Sequence, residues 1–123
     1  MSSIREKDTR PELMLRRSLH ALGLRYLLHA KSLPGRPDLV FPARQKVIFV
    51  NGCFWHMHEC RFGAVIPKTN ADFWQTKRTA TVARDARKIT ELEALGWRVL
   101  TVWECQLRKD GDGIELALGF LES

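Results

Sequence analysis

Val47-Ile48-Phe49-Val50-Asn51-Gly52-Cys53-Phe54-Trp55-His56-Met57-His58-Glu59-Cys60 is the stretch on which the reading of this chain turns. Its first four residues are β-branched or aromatic in succession, the composition of a strand buried on both faces. Asn51-Gly52 leads the chain out of that strand. The next eight residues, Cys53 to Cys60, hold two cysteines, two histidines and two adjacent aromatic rings. Thiolate and imidazole are the groups that build tetrahedral zinc sites, and close spacing lets one loop supply several of them. Three ligands from this loop and a fourth from the distant Cys105 would make a closed structural site. Free cysteine is often just a small buried apolar residue, but the clustering of Cys53, His58 and Cys60 argues against that here. Spacing alone leaves His56 and His58 interchangeable as the imidazole ligand.

Outward from this strand, helices and strands alternate. Upstream, the turn Pro34-Gly35 leads into Asp38-Leu39-Val40-Phe41, a short apolar run headed by a carboxylate, and Tyr26 to His29 reads as a first strand. Asp8-Thr9 followed by Pro11 and Glu12 marks a helix start. Leu15, Leu19 and Leu22 recur at helical spacing, and Gly23 is placed to end that helix. Downstream, Asn70 is a cap for a long helix running to about Leu95 and closed by Gly96. Trp97 to Trp103 forms a further strand that delivers Glu104 and Cys105 at its end, and Ile114 to Leu121 a last helix. The expected fold is α/β, a mixed central sheet with helices packed on it.

With 123 residues and 45% hydrophobic content, the chain is expected to form a single domain over residues 1–123 around one ordinary core. No stretch approaches the roughly 20 apolar residues needed to span a bilayer, and no apolar signal segment opens the chain. A membrane partner is therefore not expected. Three cysteines cannot all pair internally, which argues against a disulfide framework and for a reducing cytosol. Lys and Arg outnumber Asp and Glu by 20 to 14, a net charge of +6. That balance favours a polyanionic partner, nucleic acid first, although solubility alone can also explain a basic surface.

A lone carboxylate such as Asp38, following Pro37 at a strand entrance, ordinarily belongs to a turn. Here the hairpin of two strands would bring Asp38 and His56 toward one end of the sheet. A carboxylate to hold a divalent cation and an imidazole to take a proton from water are what phosphodiester hydrolysis requires. Phe54 and Trp55 cannot both point inward in an extended segment, because neighbouring side chains face opposite ways. Either one ring packs over the zinc site and the other on the core, or the pair is a wedge that enters between base pairs. From Lys68 to Lys88 the chain carries Lys68, Lys77, Arg78, Arg84, Arg87 and Lys88 against Asp72 and Asp85. Such a run is usually the solvated face of a helix. The interleaved Phe73 and Trp74 turn the reading toward a phosphate-facing surface.

Lys7-Asp8-Thr9, the run from Leu33 to Asp38, the run from Val47 to His56, Phe73-Trp74 with Lys77, Arg84-Asp85, and Gly96 through Cys105 together carry a resemblance. In order and spacing they are similar to the very short patch repair (Vsr) mismatch endonucleases, over nearly the whole chain. The resemblance implies a restriction-endonuclease-like core that nicks duplex DNA beside a T:G mismatch, the lesion left when 5-methylcytosine deaminates. The cut falls 5′ of the wrong thymine, with catalytic magnesium (Mg2+) and structural zinc (Zn2+). It further implies that Asp38 binds magnesium together with the backbone carbonyl of Val50, and that Glu12 lies near the metal-bound waters. His56 activates water, and Asp85 orients that histidine. Cys53, His58, Cys60 and Cys105 become the zinc ligands, which assigns His58 rather than His56 to the zinc. Phe54 and Trp55 enter the duplex beside the mismatch, and Met1, Trp74, Lys77 and Arg84 fall at DNA-contacting positions. On this reading the partners are mismatched double-stranded DNA and a MutL-type repair protein. The protein is expected to be a monomer of the bacterial cytoplasm, associated with the nucleoid when acting.

Three departures bear on the carry-over. Asn51 stands where some members place a second active-site histidine, and Thr81 replaces an asparagine often found on the long helix. The chain also begins at Met1, where relatives extend upstream with a basic arm, so grip on DNA and preferred sequence context are expected to differ. Two rival readings remain in view. One is a zinc-stapled DNA-binding module, which would need neither Asp38 nor His56. The other is a nuclease of the same fold with a different DNA target.

Overall fold

Alternation along the strands sets the architecture of this computed structural model, which describes residues 10–53, 60, 69–108 and 111–123. Four strands, β1 (Leu27–Leu28), β2 (Leu39–Phe41), β3 (Lys46–Asn51) and β4 (Arg98–Trp103), lie side by side in that order. The first two pairings are antiparallel, and β3 and β4 run parallel in register from Lys46 opposite Arg98 to Asn51 opposite Trp103. Successive side chains of a strand point to opposite faces. Leu39, Phe41, Ile48 and Val102 therefore join one apolar cluster, and Val40, Val47 and Phe49 join another. Helices α1 (Arg10–Ala21) and α3 (Gly113–Glu122) supply Leu15, Leu19, Ala117 and Leu121 to the first cluster. Helix α2 (Ala71–Ala94) supplies Leu92 to the second. As the connection between two parallel strands, α2 covers one face of the sheet, which is why β3 has no polar side. The mixed sheet flanked by helices is the arrangement expected from the sequence.

Details differ where tertiary contacts outweigh local pattern. Strand β1 is shorter than Tyr26 to His29 because Tyr26 is drawn onto α1: its hydroxyl donates to the Arg16 carbonyl at 2.8 Å. Leu22 is off the core stripe, 59% exposed in the turn beyond α1. Asn70 does hold the N-cap position of α2, but in the left-handed region (φ 55) and with no side-chain capping bond. Only its carbonyl serves the helix, accepting the Trp74 N–H at 3.1 Å. Two short 3-10 turns, Pro42–Arg44 and Glu104–Leu107, add to the expected elements.

Both glycine stops are as expected, and for one physical reason. Gly23 (φ 88) and Gly96 (φ 92) adopt a backbone that costs an L side chain energy. At Gly96 the turn returns the Trp97 N–H to the Leu92 carbonyl (3.0 Å) and the Gly96 N–H to that of Glu93 (3.0 Å). Gly96→Ala meets no steric neighbour, since nothing lies within 4 Å of an added Cβ. Its expected cost, about 1–2 kcal/mol, is backbone strain alone, to be read as a lower midpoint in urea with an unchanged slope.

At the other end of β3, Lys46 is buried and its ammonium donates to the carbonyls of Phe120 (2.7 Å) and Ser123 (2.6 Å). Arg44 donates to the Leu121 carbonyl at 2.9 Å. Cations here satisfy the orphan carbonyls that end α3. Among the described residues no helix is long and apolar enough to cross a membrane.

Candidate active site

Antiparallel pairing of β2 with β3 places Asp38, the residue before β2, beside the C-terminal end of β3. There its Oδ2 accepts the Val50 N–H at 2.7 Å. Glu12, on the first turn of α1, is only 1% exposed. Its Oε2 accepts from Arg16 Nη1 at 3.0 Å and from His29 Nε2 at 2.7 Å. Glu12, His29 and Asp38 each offer a ligand atom, all within 4.8 Å of one another.

Burial pushes the Asp38 carboxyl up to about 7, helped by the neighbouring Glu12 carboxylate and opposed by the Val50 N–H and Lys88. The metal-free native state thus keeps a proton on Asp38 that the unfolded chain loses near 3.8. The contribution of this group to stability is full below that value and is lost as the pH rises through about 7. Two buried carboxyls that repel one another fit a divalent cation, which takes oxygen ligands and replaces the proton.

Helix α2 flanks the same end of the sheet. Lys88 runs across Gly35, where an added Cβ would come within 2.6 Å of its side chain, and its ammonium stands 3.9 Å from Asp85 Oδ1. Asp85 and Lys88 line a shallow recess with Asn51 and Thr101. Helical period puts Trp74, Lys77, Thr81, Arg84, Asp85 and Lys88 on one face of α2. Lys77 and Arg84 are exposed on it, with the Lys77 ammonium 5.3 Å from the ring centre of the half-exposed Phe73. Arg78 does not belong to this surface, because it is 3% exposed and turned inward.

A second constellation lies just beyond the parallel pair. Because β3 and β4 run the same way, the residues that follow them, Cys53 and Cys105, come out side by side. The Cys105 N–H donates to Cys53 Sγ at 3.3 Å, and the Cys53 N–H to Glu104 Oε1 at 3.3 Å. The sulfurs of Cys53, Cys60 and Cys105 lie within 4.8 Å of one another. Tetrahedral zinc would space its sulfurs about 3.8 Å apart, so this set can hold such an ion. Burial pushes the Cys53 thiol up to about 12 and raises that of Cys105. Both are therefore thiols without a metal, and a bound cation must displace their protons.

Of the residues singled out from the sequence, the structure brings Asp38, Glu12 and the Val50 peptide together, and separately the three cysteines. Asp85 takes its place beside Asn51 at the end of β3. Met1, Phe54, Trp55, His56 and His58 lie outside the described residues. His29 was read only as a strand end. Strand register is what reveals it, since Leu28 opposite Leu39 sets His29 opposite Asp38.

Buried carboxyls at a sheet end, with a cationic helix face beside them, are equipment for cutting a phosphodiester backbone. Comparison with known proteins gives the class as a DNA endonuclease. The family model for the DNA mismatch endonuclease Vsr matches residues 1–62. The type II nicking enzyme V.XorIIP of Xanthomonas oryzae pv. oryzae is 53% identical over 107 residues, covering 87% of this chain and 78% of that protein. The DNA mismatch endonuclease Vsr of Escherichia coli is 47% identical over 108 residues, covering 88% and 69%. The type II nicking enzyme V.NmeAIP of Neisseria meningitidis is 44% identical over 108 residues, covering 88% and 76%. The chain belongs to the Vsr DNA mismatch endonuclease family.

Proposed function

We propose that this protein nicks duplex DNA 5′ of the mismatched thymine at T:G mismatches arising from 5-methylcytosine deamination, with magnesium, within one restriction-endonuclease-like domain over residues 1–123. The observation that carries this is the buried Asp38 carboxyl, tied to the Val50 peptide and facing Glu12. Asp38 and the Val50 carbonyl would hold the magnesium, with Glu12 beside them. When bound, the cation supplies neutralisation of the charge that develops on the phosphate oxygens. Asp38 must first give up its proton. His56 takes the proton of the attacking water, and Asp85 orients it. Cys53 and Cys60 flank Phe54, Trp55 and His56 in sequence, so zinc on Cys53, His58, Cys60 and Cys105 would fix the ends of the segment that carries them. Phe54 and Trp55 enter the duplex beside the mismatch, and Met1 contacts the DNA. Trp74, Lys77 and Arg84 supply the helix side of the DNA surface, the two cations by neutralising phosphates.

The test is single-turnover nicking, with magnesium, of T:G, matched and otherwise mismatched duplexes. Cleavage confined to the thymine strand of the T:G duplex is expected. Equal cleavage of other duplexes would favour a second reading, a nuclease with a different target, which the nicking-enzyme names of two relatives suggest. No cleavage at all would leave a DNA-binding module. In the same assay His56→Ala is expected to slow the chemical step roughly 100- to 10,000-fold, with zinc content and T:G binding retained. Loss of zinc from that variant would make His56 a ligand instead.

A further inference from the structure

We propose that His29 is a positioning residue for the cation site, bridging the two carboxyl-bearing residues and setting the orientation of Glu12 toward Asp38. The inference rests on the reading of Asp38 and Glu12 given above.

Glutamate is a long side chain, and fixing it costs rotamer freedom. Something must hold Glu12 if its carboxyl is to serve a cation with strict geometric demands. Its Oε2 accepts from two donors, Arg16 and His29. A carboxylate oxygen is an acceptor, so His29 Nε2 carries the hydrogen of that 2.7 Å bond. The two donors are not equivalent. Arg16 lies one turn along the same helix (i, i+4) and moves with Glu12. His29 belongs to the sheet side, and its own backbone N–H donates to the Asp38 carbonyl at 3.2 Å. One residue thus grips Asp38 through its main chain and Glu12 through its side chain. Held at Oε2 in this way, the Glu12 carboxyl is set against that of Asp38, with which it shares a side-chain hydrogen bond. The gap between the two carboxyls, which selects a small octahedral cation, is thereby fixed across the junction of α1 with the sheet. Partners of this kind typically change metal affinity 10- to 100-fold when removed.

The experiment compares the parent protein with His29→Phe, His29→Ala and His29→Gln. Phenylalanine keeps the bulk without a donor, alanine removes both, and the glutamine amide can still donate to Glu12. Mn2+ binding is read from the EPR signal of the free ion, alongside the magnesium dependence of single-turnover nicking, T:G duplex binding and thermal melting. The expected result for His29→Phe and His29→Ala is a Mn2+ dissociation constant and a magnesium half-saturation each raised about 10-fold or more. T:G binding should be retained, and His29→Gln should restore most of the loss. Wild-type Mn2+ affinity in both donorless variants overturns the proposal. So does a His29→Gln protein as impaired as the other two, with affinity falling in step with melting temperature, since His29 would then only hold the fold. Failure of the underlying reading looks different. In that case the parent protein itself shows no Mn2+ binding that Asp38→Ala abolishes, and the proposal falls with it.

Discussion

Asp38→Asn is expected to abolish magnesium-dependent nicking while making the metal-free protein more stable at neutral pH. The loss should reach at least about 1,000-fold, because charge stabilisation worth several kcal/mol is removed and each 1.36 kcal/mol is tenfold in rate. The gain comes from the same atoms. Above pH 7 the native protein must carry a carboxylate that burial and Glu12 both disfavour, and the amide carries no charge. Its oxygen can still accept the Val50 N–H that Asp38 accepts at 2.7 Å, and its NH2 can donate to Glu12. A rise of about 1–2 kcal/mol, several degrees of melting temperature for a chain of this size, is expected. The advantage should shrink on acidification toward pH 4, where Asp38 is protonated in the native parent and costs nothing. Melting curves of both metal-free proteins from pH 4 to 8 check this. A variant that melts lower than the parent at pH 8 and loses T:G binding together with nicking would make Asp38 a residue of the fold.

Cys105→Ser should fail in the opposite way, losing structure first and chemistry as a consequence. The parent is expected to hold one zinc per chain and the variant close to none. Magnesium does not substitute, since it prefers oxygen to thiolate. Binding free energy at a structural site is folding free energy, and here the ion joins the ends of two adjacent strands. A fall in melting temperature on the order of 10 °C or more is expected, with nicking reduced in parallel. Asp38→Asn, by contrast, should keep its zinc. Metal analysis with melting curves decides the matter: full zinc and unchanged melting in Cys105→Ser would remove the cluster from the list of metal sites.

How legible each part was depended on how local its cause is. The run from Val47 to Val50 and the stops at Gly23 and Gly96 are set within a few residues, and they stand where the sequence puts them. The pairing of Glu12 with His29 spans 17 residues and follows from strand register, which no periodicity encodes. Nothing local marks Lys46 for burial, yet it is buried, with its ammonium donating to carbonyls 74 and 77 residues away. Arg78 sat in a basic run and reads like its neighbours, but it is buried at 3% exposure while Lys77 and Arg84 stay exposed. Of the site, Asp38 and the cysteines were visible because chemistry marks them. Its dimensions were not, because these arise from how α1 meets the sheet.

Strand β3 is tethered at both ends. Lys46 grips the carbonyls of α3 at its start, and just past its far end Cys53 meets Cys105. Two springs in series carry the same load and divide the deformation by softness, so the softer one yields. On the reading proposed for Phe54 and Trp55, those rings follow directly from the stiff member of such a pair. Pushing them into DNA would then do work on the base stack rather than on the protein, and a mispaired step, being the more compliant, would open first. Discrimination between duplexes would in that case depend partly on how immovable one strand is.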